Sequence, residues 1–163
     1  MLDRGLVVRD TLTLTSMCQS NCSAEYAAGL FDGEGTVFIT YKRGGGGYVL
    51  ETGITMTDRE PLEAVCNTFG GTIFPNDSIG YEKAPNGNRN YWRWKPRKLE
   101  MCNFFRAVLP FLRCKHIQIQ IALDFLAIKA EGYTRTGKQG SLSDESRSLR
   151  EGYRLAIKEA KNL

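Results

Sequence analysis

Two stretches of alternating character, TVFITYK (36–42) and YVLETGITM (48–56), flank the run GGGG (44–47). Alternation in β-branched and aromatic residues is the pattern of half-buried strands, and a glycine run between two such segments lets the chain reverse. The pair predicts a long antiparallel hairpin. Because side chains alternate across a strand, Val37, Ile39 and Tyr41 share one face with Tyr48, Leu50, Thr52 and Ile54, and helices are expected to cover it. Thr36, Phe38, Thr40 and Lys42 share the other with Val49, Glu51, Gly53 and Thr55. That second set is mixed and partly polar, which suits a ribbon lying in a nucleic-acid groove and equally a solvated sheet face.

Other elements flank the hairpin. Ser23 is placed to cap a helix from Ala24 to about Gly33. Thr57 or Asp58 is placed to cap a second, whose Leu62, Val65, Cys66 and Phe69 keep helical spacing before Gly70-Gly71 stops it. TIFPN (72–76) and YWRWK (91–95) predict two short strands; on the second either Tyr91, Arg93 and Lys95 or Trp92 and Trp94 face outward, and two tryptophans in the core with the cations outside accords better with burial. Residues 97–109 predict a helix with Leu99, Cys102, Phe105 and Leu109 inside, broken by Pro110. A longer helix runs from about Cys114 to Ala130 on Ile117, Ile121, Leu123, Phe125 and Ile128, then a loop over 137–146. A last helix carries Leu149, Tyr153, Ala156, Ile157 and Ala160 on one stripe. The order α, β, β, α, β, β, α with further helices is an α+β domain with helices on one face of a four-stranded sheet.

The 163 residues suffice for one domain, read here as 23–163, with 1–22 as an N-terminal extension. Net charge is 22 − 18 = +4, but Lys83, Arg89, Arg93, Lys95, Arg97 and Lys98 fall together with no acid between them. Such a stretch fits an acidic partner, of which nucleic acid is the commonest. The five cysteines, Cys18, Cys22, Cys66, Cys102 and Cys114, are an odd number at irregular spacing and read as reduced thiols of an intracellular protein. With one histidine, His116, a zinc centre is not expected. No apolar run approaches the ~18 residues of a membrane span, and residues 1–22 lack the pattern of a secretory signal.

AAGLFDGEG (27–35) carries the chemistry. Asp32 and Glu34 sit at the C-terminal end of a helix, where the backbone dipole disfavours carboxylates. Ala28, Gly29 and Gly33 leave one side of that helix nearly bare, so a second copy could pack closely against it. That would gather the acids of two chains, and close carboxylates repel unless a cation lies between them. Magnesium takes such oxygen ligands together with phosphate and water. The same residues also read as a helix end with solvated acids.

The stretch resembles the LAGLIDADG motif of a family of homing endonucleases. Tyr26 before it, the strand after it, ITMTD (54–58), FGG (69–71) and PFLRCKHIQ (110–118) are similar to the family's flanking segments, over about residues 24–130. The resemblance implies an αββαββα core whose antiparallel sheet forms a saddle over double-stranded DNA. One copy of the motif implies a homodimer on a pseudo-palindromic site, its half-sites about one helical turn, ~10 bp, apart. It implies Mg²⁺-dependent hydrolysis across the minor groove with 3′ overhangs, Mn²⁺ substituting and Ca²⁺ binding without cleavage. Glu34 matches the catalytic, metal-holding acid, with Gly33 beside it, and Lys115 the active-site lysine; Gln118 is placed to order water or phosphate. Ala28, Gly29, Asp32 and Gly33 would form the dimer interface. Thr36, Phe38, Thr40, Lys42, Arg43, Glu51, Thr55, Asn76, Arg89, Arg93 and Lys115 would contact DNA, Arg or Lys reading guanine and Glu accepting from cytosine. No membrane and no small-molecule substrate are implied. Met56 or Thr57 stands where several members place a glutamine near the metal, which leaves room for an intron RNA maturase or a non-cleaving DNA-binding protein. An organelle and a prokaryotic cytoplasm both remain open as the compartment.

Overall fold

Helix α1 (Ala24–Glu34) passes directly into strand β1 (Gly35–Lys42), and strand β2 (Gly47–Met56) returns beside it. The computed structural model describes residues 21–42, 47–75, 91–131 and 143–162. Every residue of β1 is paired, from Gly35 opposite Ile54 to Lys42 opposite Gly47. Helix α2 (Glu60–Phe69), strands β3 (Thr72–Pro75) and β4 (Trp92–Lys95), helix α3 (Lys98–Val108), a 3-10 turn (Leu109–Phe111) and helices α4 (His116–Glu131) and α5 (Asp144–Glu159) follow. The sheet order is β1-β2-β4-β3, with every neighbouring pair antiparallel. The α+β architecture expected from the pattern is therefore the observed one.

The inward faces form the core with the helices. Val37, Ile39, Leu50, Ile54 and Trp94 from the sheet meet Phe31, Leu62, Val65, Phe104, Phe105, Ile119 and Phe125. Phe104 is the hub, its ring 4.8 Å from Trp94, 5.2 Å from Phe69 and 5.3 Å from Phe31. Burying one such side chain contributes roughly 1.5–3 kcal/mol. Two polar groups buried with them are satisfied. The Trp94 indole donates to Gly70 O at 2.8 Å and the Thr52 hydroxyl to Thr36 O at 2.8 Å. Gly70 and Gly71 have φ of 77° and 102°, so the chain leaves α2 through backbone only glycine adopts readily.

Five expectations are corrected. Tyr41 lies beyond the helical cover, half exposed, its ring against Tyr48 at 5.0 Å. Arg59, not Thr57 or Asp58, precedes α2, and it makes no side-chain cap bond. On α3, Leu99 is 74% exposed, and Met101, Phe104, Phe105 and Val108 form the inner stripe. Phe105 is inward as expected, and the observed phase adds Phe104, a larger apolar group than the Leu99 or Cys102 of the expected one. On α4 the buried residues are Gln118, Ile119, Ala122, Phe125 and Leu126, while Ile117 is exposed. This helix is apolar nearly all round, so spacing alone could not fix its phase. α5 starts at Asp144, inside the expected loop, because the Ser143 hydroxyl caps it by accepting from Ser146 N–H at 3.2 Å. No helix among the described residues is long and apolar enough to cross a membrane.

Candidate functional site

α1 begins on a Ser23 cap, the hydroxyl accepting from Tyr26 N–H at 3.2 Å. Ala27, Ala28 and Phe31 face the core and are fully buried. Ala28 is thus packed inside the protomer and is not available to an interface, which corrects its expected place there. Gly29 and Gly33 lie on the opposite, exposed side, and a Cβ added at either would meet nothing within 4 Å. The helix closes where Gly35 N–H donates to Phe31 O. Glycine is required there by close approach, since a Cβ would run into the Phe31 ring and carbonyl.

Asp32 is the structural knot of the site. Its Oδ2 accepts from Arg113 N–H at 2.6 Å; its Oδ1 accepts from Lys115 N–H at 3.0 Å and Cys114 N–H at 3.2 Å. These donors precede the first turn of α4, where Ile119 N–H bonds back to Lys115 O, and backbone N–H groups there have no intrahelical partner. Lys115 Nζ returns the contact by donating to Asp32 O, at the negative end of α1. An acid that the dipole of α1 disfavours is stabilised by the dipole of α4, and a lysine poorly placed on α4 is stabilised by α1. Burial raises the Asp32 pKa, but the three N–H bonds and the Lys115 charge outweigh it and hold the carboxyl below its ordinary value. The Asp32 carboxylate is thus engaged within the protomer, tying the end of α1 to the start of α4.

Glu34, two residues on, is exposed and has no hydrogen bond or ion pair among the described residues. The next residue, Gly35, lines a cavity of about 620 Å³ together with Thr36, Arg113, Lys115 and Lys161 among others. Gln118 also borders this cavity, but it is 7% exposed and its amide donates to Ala160 O at 3.2 Å. Its N–H is committed to the chain at the end of α5, which corrects the reading of Gln118 as a group presented to water. No three His, Cys, Asp or Glu side chains converge on one point among the described residues. At the end of α1, Glu34 is a hard oxygen donor without a partner among the described residues, which fits an ion that completes its shell with phosphate and water.

The outer sheet face starts at this cavity. Thr36 is exposed and donates to Gly53 O at 3.3 Å; Phe38 is half-buried, with the Lys161 ammonium 5.6 Å from its ring centre. Glu51 lies between two cations, 3.0 Å from Lys42 and 3.9 Å from Lys95, and accepts from Thr40 at 3.4 Å. The Lys42 hydrogen bond, with Lys95 and Thr40 assisting against burial, holds its carboxyl below the ordinary value. Thr55 faces Arg93 across β2 and β4. The Arg93 Nε is buried without a partner, close to Gly53, where a Cβ would press 2.6 Å from Trp94 O. Trp94 is inward as expected; Trp92 is half-buried under the Arg59 guanidinium at 4.6 Å. Arg43, Asn76 and Arg89 lie outside the described residues, as does Lys83. The pairing of Lys95 with Glu51 and the presence of Lys161 at the cavity have no signal in the sequence, since no spacing joins residues so far apart in the chain.

No protein-family model matches the chain, and no curated protein matches it. Solved structures do. The LAGLIDADG homing endonuclease I-GzeII, in complex with its DNA target, is 14% identical over 84% of this chain and 44% of that one, with a TM-score of 0.57. The group I intron-encoded homing endonuclease I-CeuI, complexed with DNA, is 13% identical over 78% of this chain and 75% of that one, with a TM-score of 0.51. Taken with its element order and the placement of its motif on α1, the chain has the LAGLIDADG homing-endonuclease fold.

Proposed function

We propose that the chain is a site-specific DNA endonuclease that acts as a homodimer and hydrolyses one phosphodiester of each strand. The observation that carries this reading is the pairing of a free carboxylate with a tethered cation. Glu34 stands exposed and unpartnered at the end of α1, and Asp32, two residues before it, holds Lys115, which lines a cavity with Gly35, the residue after Glu34. Glu34, with Gly33 next to it, is the residue that would hold Mg²⁺. When bound, the ion polarises the scissile phosphate and makes hydroxide available at neutral pH. Lys115 exchanges the Asp32 carbonyl for a phosphate oxygen and counters charge that builds in the transition state. The outer sheet face carries Thr36, Phe38, Thr40, Lys42, Thr55 and Arg93 against the groove. Packing of α1 on its copy through Gly29 and Gly33 brings two such sites together, one per strand.

A cleavage selection tests this. Purified protein is incubated with a randomised duplex library in Mg²⁺, and only molecules with new ends are sequenced. Enriched pseudo-palindromes with 3′ overhangs are expected, and none with Glu34→Gln, which should still bind the enriched site in Ca²⁺. Loss of binding along with cutting would make Glu34 structural.

One feature favours a second reading, a non-cleaving binder of DNA or intron RNA. Met56, at the end of β2, packs on the core and presents no hydrogen-bonding group there. Specific binding with no new ends in Mg²⁺ would favour it.

A further inference from the structure

Three contacts converge on the end of α5, an element outside the αββαββα core. The buried Gln118 amide on α4 donates to Ala160 O at 3.2 Å. The next residue, Lys161, lies 5.6 Å from the centre of the Phe38 ring on β1. Its side chain lines the cavity that Lys115 and the start of β1 also line. Two lysines, Lys115 and Lys161, thus line one cavity of about 620 Å³ with Gly35, the residue after Glu34. No ion pair is formed by either among the described residues, and the Lys115 ammonium donates only to a neutral carbonyl.

From this geometry we infer that Lys161 is a second phosphate-holding cation of the cleavage site, and that Gln118 is a positioning residue that acts through it. The inference rests on the endonuclease reading above. A lysine on a four-carbon stem is a mobile point charge, so placing it takes more than its own backbone. Gln118 fixes the last turn of α5 from below. The Phe38 ring holds the ammonium from the side through its negative face, an arrangement that leaves the N–H groups free for an anion. This assigns Phe38 a role besides any contact with a base. It also explains why a glutamine is buried on a helix otherwise packed with apolar side chains: its amide is the pin that carries α5 to the site.

The test uses the full chain, the site enriched in the cleavage selection and a scrambled duplex of the same length. Lys161→Met should slow single-turnover cleavage about ten- to a hundredfold, with a smaller change in affinity. In Ca²⁺, without cleavage, it should lower the slope of log affinity against log salt by about one, the share of a single phosphate neighbour. Lys161→Arg should restore the salt slope and most of the rate. Gln118→Leu should reproduce part of the loss in rate, and Gln118→Leu combined with Lys161→Met should be no slower than Lys161→Met alone. Lys161 is exposed, so its variants should fold, which thermal melting checks for all of them. Unchanged rate and salt slope in Lys161→Met, with the wild type cutting, would overturn the role of Lys161. Losses that multiply in the double variant would overturn the positioning role of Gln118. A wild type that binds duplex without cutting it sinks the endonuclease reading, and the salt slope still decides whether Lys161 meets phosphate. A wild type that binds no duplex removes both.

Discussion

Asp32 shows how one side chain can tie two helix ends together. Its three N–H bonds to residues 113–115 join segments far apart in the chain and fix where Lys115 stands. Replacing a cap of this type costs about 1 kcal/mol, up to ~2. Asp32→Ala should therefore lower the urea midpoint by a corresponding amount and slow cutting through a loosened Lys115. The pH dependence follows from the lowered carboxyl. A depressed folded pKa contributes stability above the ordinary aspartate value, and that contribution is lost as pH falls through the folded value. Urea midpoints followed from neutral pH to below pH ~4 should drop further for wild type than for Asp32→Asn. Parallel curves would show that Asp32 carries no such linkage. The motif resemblance singled out Glu34 and Lys115 in the sequence. The bond between Asp32 and the start of α4 was not legible, because it depends on two helix ends meeting in space.

Among elements, the strands were read more faithfully than the helices. A period of two leaves only two phases, and on β1 and β2 the wrong one would bury Lys42 and Glu51 while exposing Ile39 and Leu50. A helix offers many phases, and α3 and α4 carry apolar residues on more than one of them. The consequence can be measured on α3. Leu99→Ser should change stability by less than ~0.5 kcal/mol, and Phe104→Ala should cost about 3–5 kcal/mol, both by denaturant unfolding. Comparable losses would mean the phase lies nearer the one expected from spacing. α1 allows a cleaner separation of folding from assembly. A side chain at Gly29 meets nothing in its own protomer, and helix propensity favours leucine over glycine. Gly29→Leu should leave the protomer's melting temperature unchanged or higher while light scattering reports half the mass. A dimer that survives would refute packing through this face.

The whole molecule sets a length. β1 is eight residues, all paired with β2, while β3 and β4 are four residues each among the described residues. At about 3.4 Å per residue the hairpin extends ~27 Å, close to the length of about eight base pairs at ~3.4 Å each. The cleavage site proposed above would lie at the root of this hairpin, where Glu34 and Gly35 lead into β1, so the groove would be followed outward from the cut. If two protomers are related by a two-fold axis between their α1 helices, the hairpins point away from each other and the site is read in two arms. Hydroxyl-radical footprinting in Ca²⁺ should then show two protected arms of roughly eight to ten base pairs, symmetric about the centre of the staggered cut. Shortening the hairpin by deleting paired residues from both strands should trim the outer ends of the footprint and leave the cut in place. A single arm would mean that one protomer binds alone. A footprint indifferent to the deletion would mean that the sheet does not lie along the groove, and the outer face of β1 and β2 would then be an ordinary solvated one.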